Sequence, residues 1–518
     1  MGESIDHPVP DVGRPDRRRG RRLPVTLALA LLVLARLAIA AALYDPRWMW
    51  LCQDDFCRAV LSLNWVHQPY VFPADLHWLP LQTYVYGAAA LWGAPEAIAL
   101  FAAVSLALST GTLLALYGLG RTFFQPAAAL AACFLYAFGS WPLVIGCSAM
   151  AEPLFHFLAI TSLTCFARWW RGAGRRWLGG MAVATGLAAW TRYEAWVLAG
   201  LLLALGMVRL CREGGTRRSA AIREFAWLLA PWLLPVAWIV QNLRVEGVPL
   251  VFYEANRQAF DASLWWLPAQ RRGLVYPQAF ACLSLPVTGL LVAAIFRPRS
   301  WRPTGASLLW TVAAAHFAIL TALYCLGTGP RFVERIVLFH WLILLPLAGR
   351  ILARWIGSPR RILRAGAVLC LAAVAVWEPH RARAILRGRT YAEYHDTAGA
   401  YLELGRYIRA SLPDLRADVA VWCHDSALFV RTVSRAPWRV KNVEPERADS
   451  ILAHGEIEML CVPRRPVGPL RPDPRLEAAF RRVYWPYPIE IREFGDWRVL
   501  RIWTAGRVTS AGAGSASP

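Results

Sequence analysis

Two adjacent carboxylates, Asp54 and Asp55, follow the first long apolar run of the chain, which extends from Leu23 to Leu43. An acid pair close to a membrane is costly unless hydrogen bonds, cations or a chemical role compensate for its desolvation. A carboxylate can act as a general base that removes the proton of a hydroxyl group. The pair is therefore the first candidate for a catalytic site.

The composition defines the environment of this pair. Of 518 residues, 57% are hydrophobic and 17% are charged, and the mean hydropathy is +0.37, which is more apolar than a soluble domain. The formal net charge of +22 comes from basic residues in short clusters between apolar runs. A nucleic-acid-binding protein would collect them on one face or in one tail. The composition therefore predicts a polytopic membrane protein without a nucleic-acid partner.

Apolar segments long enough to cross a bilayer recur along the chain, and we predict about eleven of them. They lie at 23–43, 96–119, 126–145, 149–167, 177–191, 195–210, 224–241, 277–296, 304–326, 332–349 and 362–378. The first follows an arginine cluster and also matches a signal peptide, but its length and the long polar tail before it favour an uncleaved anchor. Arginine-rich connections fall on alternate loops, on the side of the N-terminus. The positive-inside rule then predicts a cytoplasmic N-terminus, an extracytoplasmic C-terminus and, for a bacterial chain, the inner membrane.

This topology divides the chain into four predicted regions. They are a basic cytoplasmic tail at 1–22, a transmembrane catalytic domain at 23–379 with its first external loop at 44–95, an extracytoplasmic α/β domain at 380–507 and a disordered tail at 508–518. In the α/β domain, periodicity predicts helices at 396–410 and 475–482 and strands at 418–423 and 458–462. The final segment is rich in Ser, Gly and Ala, a composition that cannot bury a core.

Charged residues that are far apart in sequence fall together on the external side. They are Asp54, Asp55, Glu152, Arg192, Glu194, Arg244, Glu254, Arg331, Glu334 and Arg335. A snorkelling interfacial side chain is the alternative interpretation for any single one, Arg192 or Arg335 in particular. Taken together they predict a polar cavity that is open to the exterior and offers both acids and cations.

The external loops provide further candidates. In the first loop, residues 80–92 are apolar but too short to span, which predicts an interfacial helix, and its tryptophans suit an aromatic belt. The loop between Asn242 and Tyr276 contains Arg271 and Arg272 and is a second candidate for contact with a lipid-linked ligand. Cys52 and Cys57 flank the acid pair and form either a disulfide or two free thiols. No Cys or His grouping has the ligand spacing of a zinc site.

The motifs follow one another in a recognisable order. They are Gln53-Asp54-Asp55-Phe56, His77-Trp78-Leu79-Pro80-Leu81, Ala151-Glu152-Pro153-Leu154, Thr191-Arg192-Tyr193-Glu194 and Pro330-Arg331-Phe332. Because the motifs follow this order and all fall on the same predicted side of the membrane, the chain resembles the GT-C glycosyltransferases over roughly residues 23–380. Within them it looks most like family 39, the polyprenyl-phosphate-sugar-dependent mannosyl- and aminoarabinosyltransferases.

The chain also departs from that family. Its acid pair is Asp-Asp where Asp-Glu is usual, and His77-Trp78-Leu79-Pro80 replaces the usual His-Pro-Pro, so the identity of the sugar stays open. The sequence contains no Trp-Trp-Asp, the signature of the oligosaccharyltransferase branch. Its absence argues against transfer of a whole oligosaccharide to asparagine.

The resemblance implies an α-helical GT-C fold and a single inverting transfer of a hexose or pentose from a polyprenyl-phosphate donor to a hydroxyl of a glycan, lipid or protein. It implies that Asp54 is the general base. Asp55 then positions the acceptor, binds a divalent cation, or disfavours ionisation of its neighbour by like-charge repulsion.

The resemblance also implies which residues bind substrate. Arg331 is the first choice for the leaving phosphate, followed by Arg192, Arg271 and Arg272, because guanidinium groups bind phosphate with two hydrogen bonds. The remaining predicted substrate-binding residues are His77, Glu152 and Glu194. A cofactor is not required, since arginines can neutralise a monophosphate donor, although a divalent cation remains an alternative.

Two other functions remain to be distinguished from glycosyl transfer. A transporter or lipid flippase would also have many spans and membrane-embedded charges, but it predicts charges near the midplane and repeated halves with broken helices. The sequence shows neither feature. A catalytically inactive GT-C-like scaffold stays open as the third interpretation.

Overall fold

The structure is a computed structural model. It describes residues 19–45, 53–72, 78–92, 97–212, 218–253, 269–295, 306–326, 333–389, 398–415, 418–421, 430–431, 433–443, 457–463, 473–483, 489–494 and 497–502.

Most of the described chain is α-helical. In chain order the helices are α1 Arg19–Leu43, α2 Gln53–His67, α3 Leu81–Ala90, α4 Ala97–Phe123, α5 Pro126–Phe138, α6 Ser140–Ile145, α7 Glu152–Trp170, α8 Arg176–Ala189, α9 Glu194–Arg212, α10 Arg218–Leu229, α11 Leu233–Val245, α12 Ala269–Cys282, α13 Leu285–Ile295, α14 Ala306–Cys325, α15 Val333–Ile356, α16 Arg361–Ala372, α17 Glu378–Arg389, α18 Ala398–Ser411 and α19 Pro474–Val483. A 3₁₀ turn, Ala230–Trp232, joins α10 to α11, and a π-helical turn, Ala373–Trp377, joins α16 to α17.

The structure agrees with the sequence that several helices of the chain are able to cross a membrane. Among the described residues, seven helical segments are long and apolar enough to cross a bilayer, or eight if α12 and α13, bent by 108°, form one broken span. The predicted spans at 126–145, 149–167 and 177–191 coincide with α5 to α8, which do not meet this test of length and hydropathy. The chain is a multi-pass membrane protein, and the count of eleven spans stays a prediction.

Helix α15 is the centre of the membrane region. Buried residues make up 89% of its most apolar stretch, and it packs against α5, α12, α13 and α14. A helix that is apolar on all sides is expected to be surrounded by protein. Gly349 permits the approach to α5, because a Cβ atom there would meet the Ala128 carbonyl and lie 2.6 Å from the Ala132 nitrogen. The position of α15 is thus set by close backbone packing.

The loop at 44–95, predicted to be external, contains more regular structure than the sequence indicated. The predicted helix at 80–92 is confirmed as α3, but α2, which carries the acid pair, was expected to be loop. The two helices pack together, and Trp65 of α2 lies over Gly87 of α3, where a Cβ atom would collide with the indole ring. Packing against α3 explains why this segment of the loop becomes a helix.

The C-terminal part forms a five-stranded sheet in the order β2-β1-β3-β5-β4, with β1 Asp418–Val421, β2 Val440–Asn442, β3 Ile457–Pro463, β4 Ile489–Phe494 and β5 Trp497–Ile502. Strand β1 is parallel to β2 and β3, whereas β5 is antiparallel to β3 and β4. The two predicted strands and two predicted helices are confirmed as β1, β3, α18 and α19. The sequence missed β2, which is short, and β4 and β5, in which charged residues interrupt the apolar ones without a regular alternation.

The sheet rests on the membrane helices. Ala40 of α1 and Ile98 of α4 share one apolar cluster with Tyr401 and Trp497. Arg435 donates a hydrogen bond of 3.2 Å to the Ala90 carbonyl at the end of α3. The helical segment from α16 to α17 continues past residue 380, so the predicted domain boundary lies inside a helix.

Candidate functional site

Asp54 and Asp55 lie in the first turn of α2, where the positive end of a helix favours acidic residues. The two side chains face different environments. The Asp54 side chain is 34% exposed, whereas Asp55 is fully buried. Only Asp54 of the pair is therefore open to a molecule arriving from solvent.

Arg335, in the first turn of α15, connects Asp54 to the membrane region. Its Nη1 lies 2.7 Å from Asp54 Oδ2, and its Nε donates to Glu152 Oε1. Glu152 is the first residue of α7 and is fully buried. A single guanidinium group thus joins the first turns of α2, α7 and α15.

Arg192 extends this contact in the other direction. It lies in the turn between α8 and α9, and its Nη1 is 2.6 Å from the same Glu152 oxygen. Its Nη2 and Nε bind both carboxylate oxygens of Glu194 at 2.5 and 3.1 Å, the bidentate geometry that makes arginine–carboxylate pairs strong. The result is a continuous ion-pair chain, defined here as Asp54–Arg335–Glu152–Arg192–Glu194.

Arg58 supports α2 one helical turn after Asp54. Its Nη1 donates to Gln82 Oε1 at 2.6 Å, Gln82 Nε2 donates to the Ala149 carbonyl at 2.6 Å, and the guanidinium lies 4.3 Å from the ring centre of Trp78. Burial removes water from this guanidinium and lowers its pKa to about 10, an effect that Asp54 partly offsets. Arg58 therefore remains a cation at neutral pH.

Aromatic side chains cover the turn that holds Arg192. Tyr193 stacks on Phe252 with ring centres 3.5 Å apart and accepts a hydrogen bond of 3.0 Å from Trp238. Phe72 lies against both Trp190 and Trp238. The two loops that were separately predicted to be external, at 44–95 and between Asn242 and Tyr276, thus meet in this aromatic cluster.

The structure brings together four of the residues predicted for the site: Asp54, Glu152, Arg192 and Glu194 are members of the ion-pair chain. Asp55 lies beside them on α2. His77 and Arg331 lie outside the described residues, and Arg271 and Arg272 belong to α12 with side chains that the structure does not describe.

Three residues of the site were missed or misjudged from the sequence. The alternative that Arg192 and Arg335 snorkel is wrong, since their side chains are only 10% and 8% exposed and bind buried acids. Arg58 was not nominated at all. The signal available for it was its position four residues after Asp54, a spacing that places two side chains on one helix face.

The described residues do not assemble an evident metal centre. In the ranges given above, no group of three or more His, Cys, Asp or Glu side chains is arranged to hold a metal ion, and Asp54, Glu152 and Glu194 already bind arginines. A divalent cation at Asp55 stays a prediction, as does a bridge between Cys57 and Cys52, which lies outside the described residues.

No known family model matches the sequence, and no curated protein matches it at a significant level. Solved structures do match. ArnT from Cupriavidus metallidurans bound to undecaprenyl phosphate is 15% identical and covers 92% of this chain and 98% of its own, with a TM-score of 0.58. The Archaeoglobus fulgidus oligosaccharyltransferase in complex with Zn and sulfate is 14% identical and covers 84% of this chain and 68% of its own, with a TM-score of 0.52. The resemblance inferred from the motifs is thus confirmed at the level of architecture: the chain has the GT-C fold.

Proposed function

We propose that the protein is a membrane glycosyltransferase that moves one sugar from a polyprenyl-phosphate donor to an acceptor hydroxyl at the extracytoplasmic face. The observation that carries this proposal is a partly exposed carboxylate, Asp54, held by a buried arginine on a GT-C fold. ArnT was solved with undecaprenyl phosphate and the archaeal enzyme with an acceptor peptide. These ligands support a lipid-phosphate donor, and the peptide agrees with one of the proposed acceptor classes, which are a glycan, a lipid or a protein.

In the proposed reaction Asp54 is the general base. Its exposed side chain accepts the proton of the acceptor hydroxyl while that oxygen attacks the anomeric carbon, and the bond to the lipid phosphate breaks. A single displacement of this kind inverts the anomeric configuration. The hydrogen bond from Arg335 fixes the orientation of the carboxylate, and a fixed base avoids reorganisation during the reaction.

The numbers of acids and cations in the described site indicate whether it can stabilise the leaving phosphate. Its carboxylates are Asp54, Asp55, Glu152 and Glu194, and its guanidinium groups are Arg58, Arg192 and Arg335. The acids therefore exceed the cations by one when all are ionised. A phosphate needs cations beyond these three, which keeps Arg331, then Arg271 and Arg272, as the proposed phosphate ligands. No step of this mechanism requires a metal.

The C-terminal sheet is proposed to be extracytoplasmic, since it rests on α3 and α4 beside the helix that carries the acid pair. Residues 380–507 remain the proposed bounds of this domain. Because Arg435, in the segment before β2, contacts the end of α3, the C-terminal domain is proposed to brace the α2–α3 pair.

The test measures sugar transfer by the purified protein from a defined polyprenyl-phosphate sugar. It then determines the anomeric configuration of the product. Asp54→Asn should abolish transfer because the amide cannot accept the proton, whereas Asp418→Asn, a change in strand β1 of the C-terminal sheet, should leave transfer unchanged. Full activity of Asp54→Asn would refute the assignment of the base. Movement of intact donor across proteoliposomes without product would instead identify a flippase, and neither product nor movement would fit an inactive scaffold.

A further inference from the structure

Two histidines lie inside apolar helices behind the ion-pair chain. His316 of α14 is fully buried and His340 of α15 is 1% exposed. Ionisable side chains in membrane-embedded helices are costly and usually have a specific partner. The partner here is the backbone at the start of α9, the helix that begins with Glu194.

The direction of the hydrogen bonds follows from their chemistry. His316 Nε2 lies 2.9 Å from the Glu194 carbonyl, and a carbonyl oxygen only accepts, so Nε2 donates. In a neutral imidazole the other nitrogen is then an acceptor. His340 Nε2 lies 2.8 Å from His316 Nδ1 and therefore donates to it. Hydrogen bonds run in one direction, from His340 through His316 to Glu194.

Together with the ion-pair chain, these hydrogen bonds form a closed ring of contacts. The carbonyl of Glu194 binds His316, and the carboxylate of the same residue binds Arg192. Arg192 leads through Glu152 to Arg335, which is on α15, the helix that also carries His340. Four elements, α7, α9, α14 and α15, are thereby joined in a ring, and Asp54 is attached to it through Arg335.

We propose that His316 is a positioning residue that holds the start of α9, so that Glu194 keeps Arg192, and through it Glu152 and Arg335, in the orientation that presents Asp54. Buried hydrogen-bond networks act as a unit, because the loss of one bond loosens its neighbours and leaves polar groups unsatisfied. His316 touches no reacting atom in this role. The effect on turnover rests on the proposed function, whereas the effect on α9 does not.

The surroundings of the His316 imidazole allow a matched pair of variants. His316 lies edge-on to Phe339 at 5.2 Å, so His316→Phe preserves an aromatic ring of similar volume and removes both nitrogens. His316→Gln retains a terminal N–H that can reach the Glu194 carbonyl. His156→Phe is the control, since His156 is also buried and lies against Phe339, in stacked geometry, but is not a member of the ring of hydrogen bonds.

The experiment measures amide hydrogen exchange of residues 194–198 in the purified full chain, together with kcat and KM. In His316→Phe we expect exchange about tenfold faster and kcat about 10- to 100-fold lower with KM within about twofold. His316→Gln should recover most of both quantities, and His156→Phe should match the wild type in exchange. Wild-type exchange in His316→Phe, or equal losses in the Phe and Gln variants, would overturn the proposal. If the wild type transfers no sugar, the proposed function fails while the exchange measurement still decides the role of His316.

Discussion

Arg335 Nη1 and Asp54 Oδ2 are 2.7 Å apart although their residues are separated by 281 positions in the chain. The arginine is buried and the carboxylate is partly exposed. Glu152 is bound by the same guanidinium on its other edge. The pair therefore lies where the polar network of the membrane helices reaches the solvent, and its disruption should affect both stability and turnover.

Replacement of Arg335 by Gln should leave Glu152 in the interior without one of its two arginines. Removal of one partner from a buried ion pair typically costs about 3–5 kcal/mol, so the melting temperature of the detergent-purified protein should fall clearly. Arg335→Lys should unfold at a higher temperature than Arg335→Gln but transfer poorly, because one ammonium group cannot reproduce the fork that binds two acids.

The matched control for this prediction is Arg498→Gln. Arg498 of β5 pairs with Glu477 of α19 and Glu493 of β4 and is 36% exposed. Such exposed ion pairs contribute about 0–1 kcal/mol. Equal melting temperatures for the Arg335→Gln and Arg498→Gln proteins would show that the buried network does not contribute to stability.

Gln82 should be needed for the position of α2. In Gln82→Leu both the Arg58 guanidinium and the Ala149 carbonyl lose a partner, and an unsatisfied buried group costs about 1–3 kcal/mol. Thermal unfolding should report this loss, and transfer activity should fall with it because Arg58 lies one turn from Asp54. Gln68→Leu, at the exposed position directly after α2, should remain within about 0.5 kcal/mol of the wild type. Similar unfolding of both variants would contradict a role for the Arg58–Gln82 contact.

Gly349 should tolerate no side chain. A methyl group at this position would collide with the backbone of α5 at Ala128 and Ala132, and such overpacking typically costs about 1–3 kcal/mol. Gly366→Ala is the comparison, since no atom lies within 4 Å of the added Cβ and alanine is favoured in a helix by about 1 kcal/mol. Thermal melts should move in opposite directions for the two variants. A stabilised Gly349→Ala protein would refute the close contact between α5 and α15.

The orientation can be tested with reporter fusions. A phosphatase joined after Pro518 should be active, because an odd number of spans places the C-terminus opposite the cytoplasmic N-terminus. The same enzyme joined after Arg212, in an arginine-rich connection, should be inactive. An inactive fusion at Pro518 would mean an even number of spans and would remove the extracytoplasmic placement of the sheet.

The sequence alone was sufficient for the class of protein and for several members of the site. Apolar segments and alternating arginine clusters are local signals, since they report the transfer of each segment into lipid and do not depend on its neighbours. The predicted topology and short motifs assigned Asp54, Glu152, Arg192 and Glu194 to one side of the membrane, and the fold connects these four residues through Arg335. Strands β1 and β3 were recognisable because their burial makes them continuous apolar runs.

Only the tertiary structure decided which partners these residues choose. Arg335 lies in the first turn of α15, and no local pattern says that it meets Asp54, because that depends on how the first turns of α2, α7 and α15 come together. The same applies to α2 itself, whose helical state depends on packing against α3, and to His316 and His340, which resemble isolated polar residues in apolar runs. Their hydrogen bonds to each other and to Glu194 exist only once α9, α14 and α15 are packed. Hydropathy is set residue by residue, whereas an ion pair or a hydrogen bond requires two distant segments to arrive within 3 Å of each other.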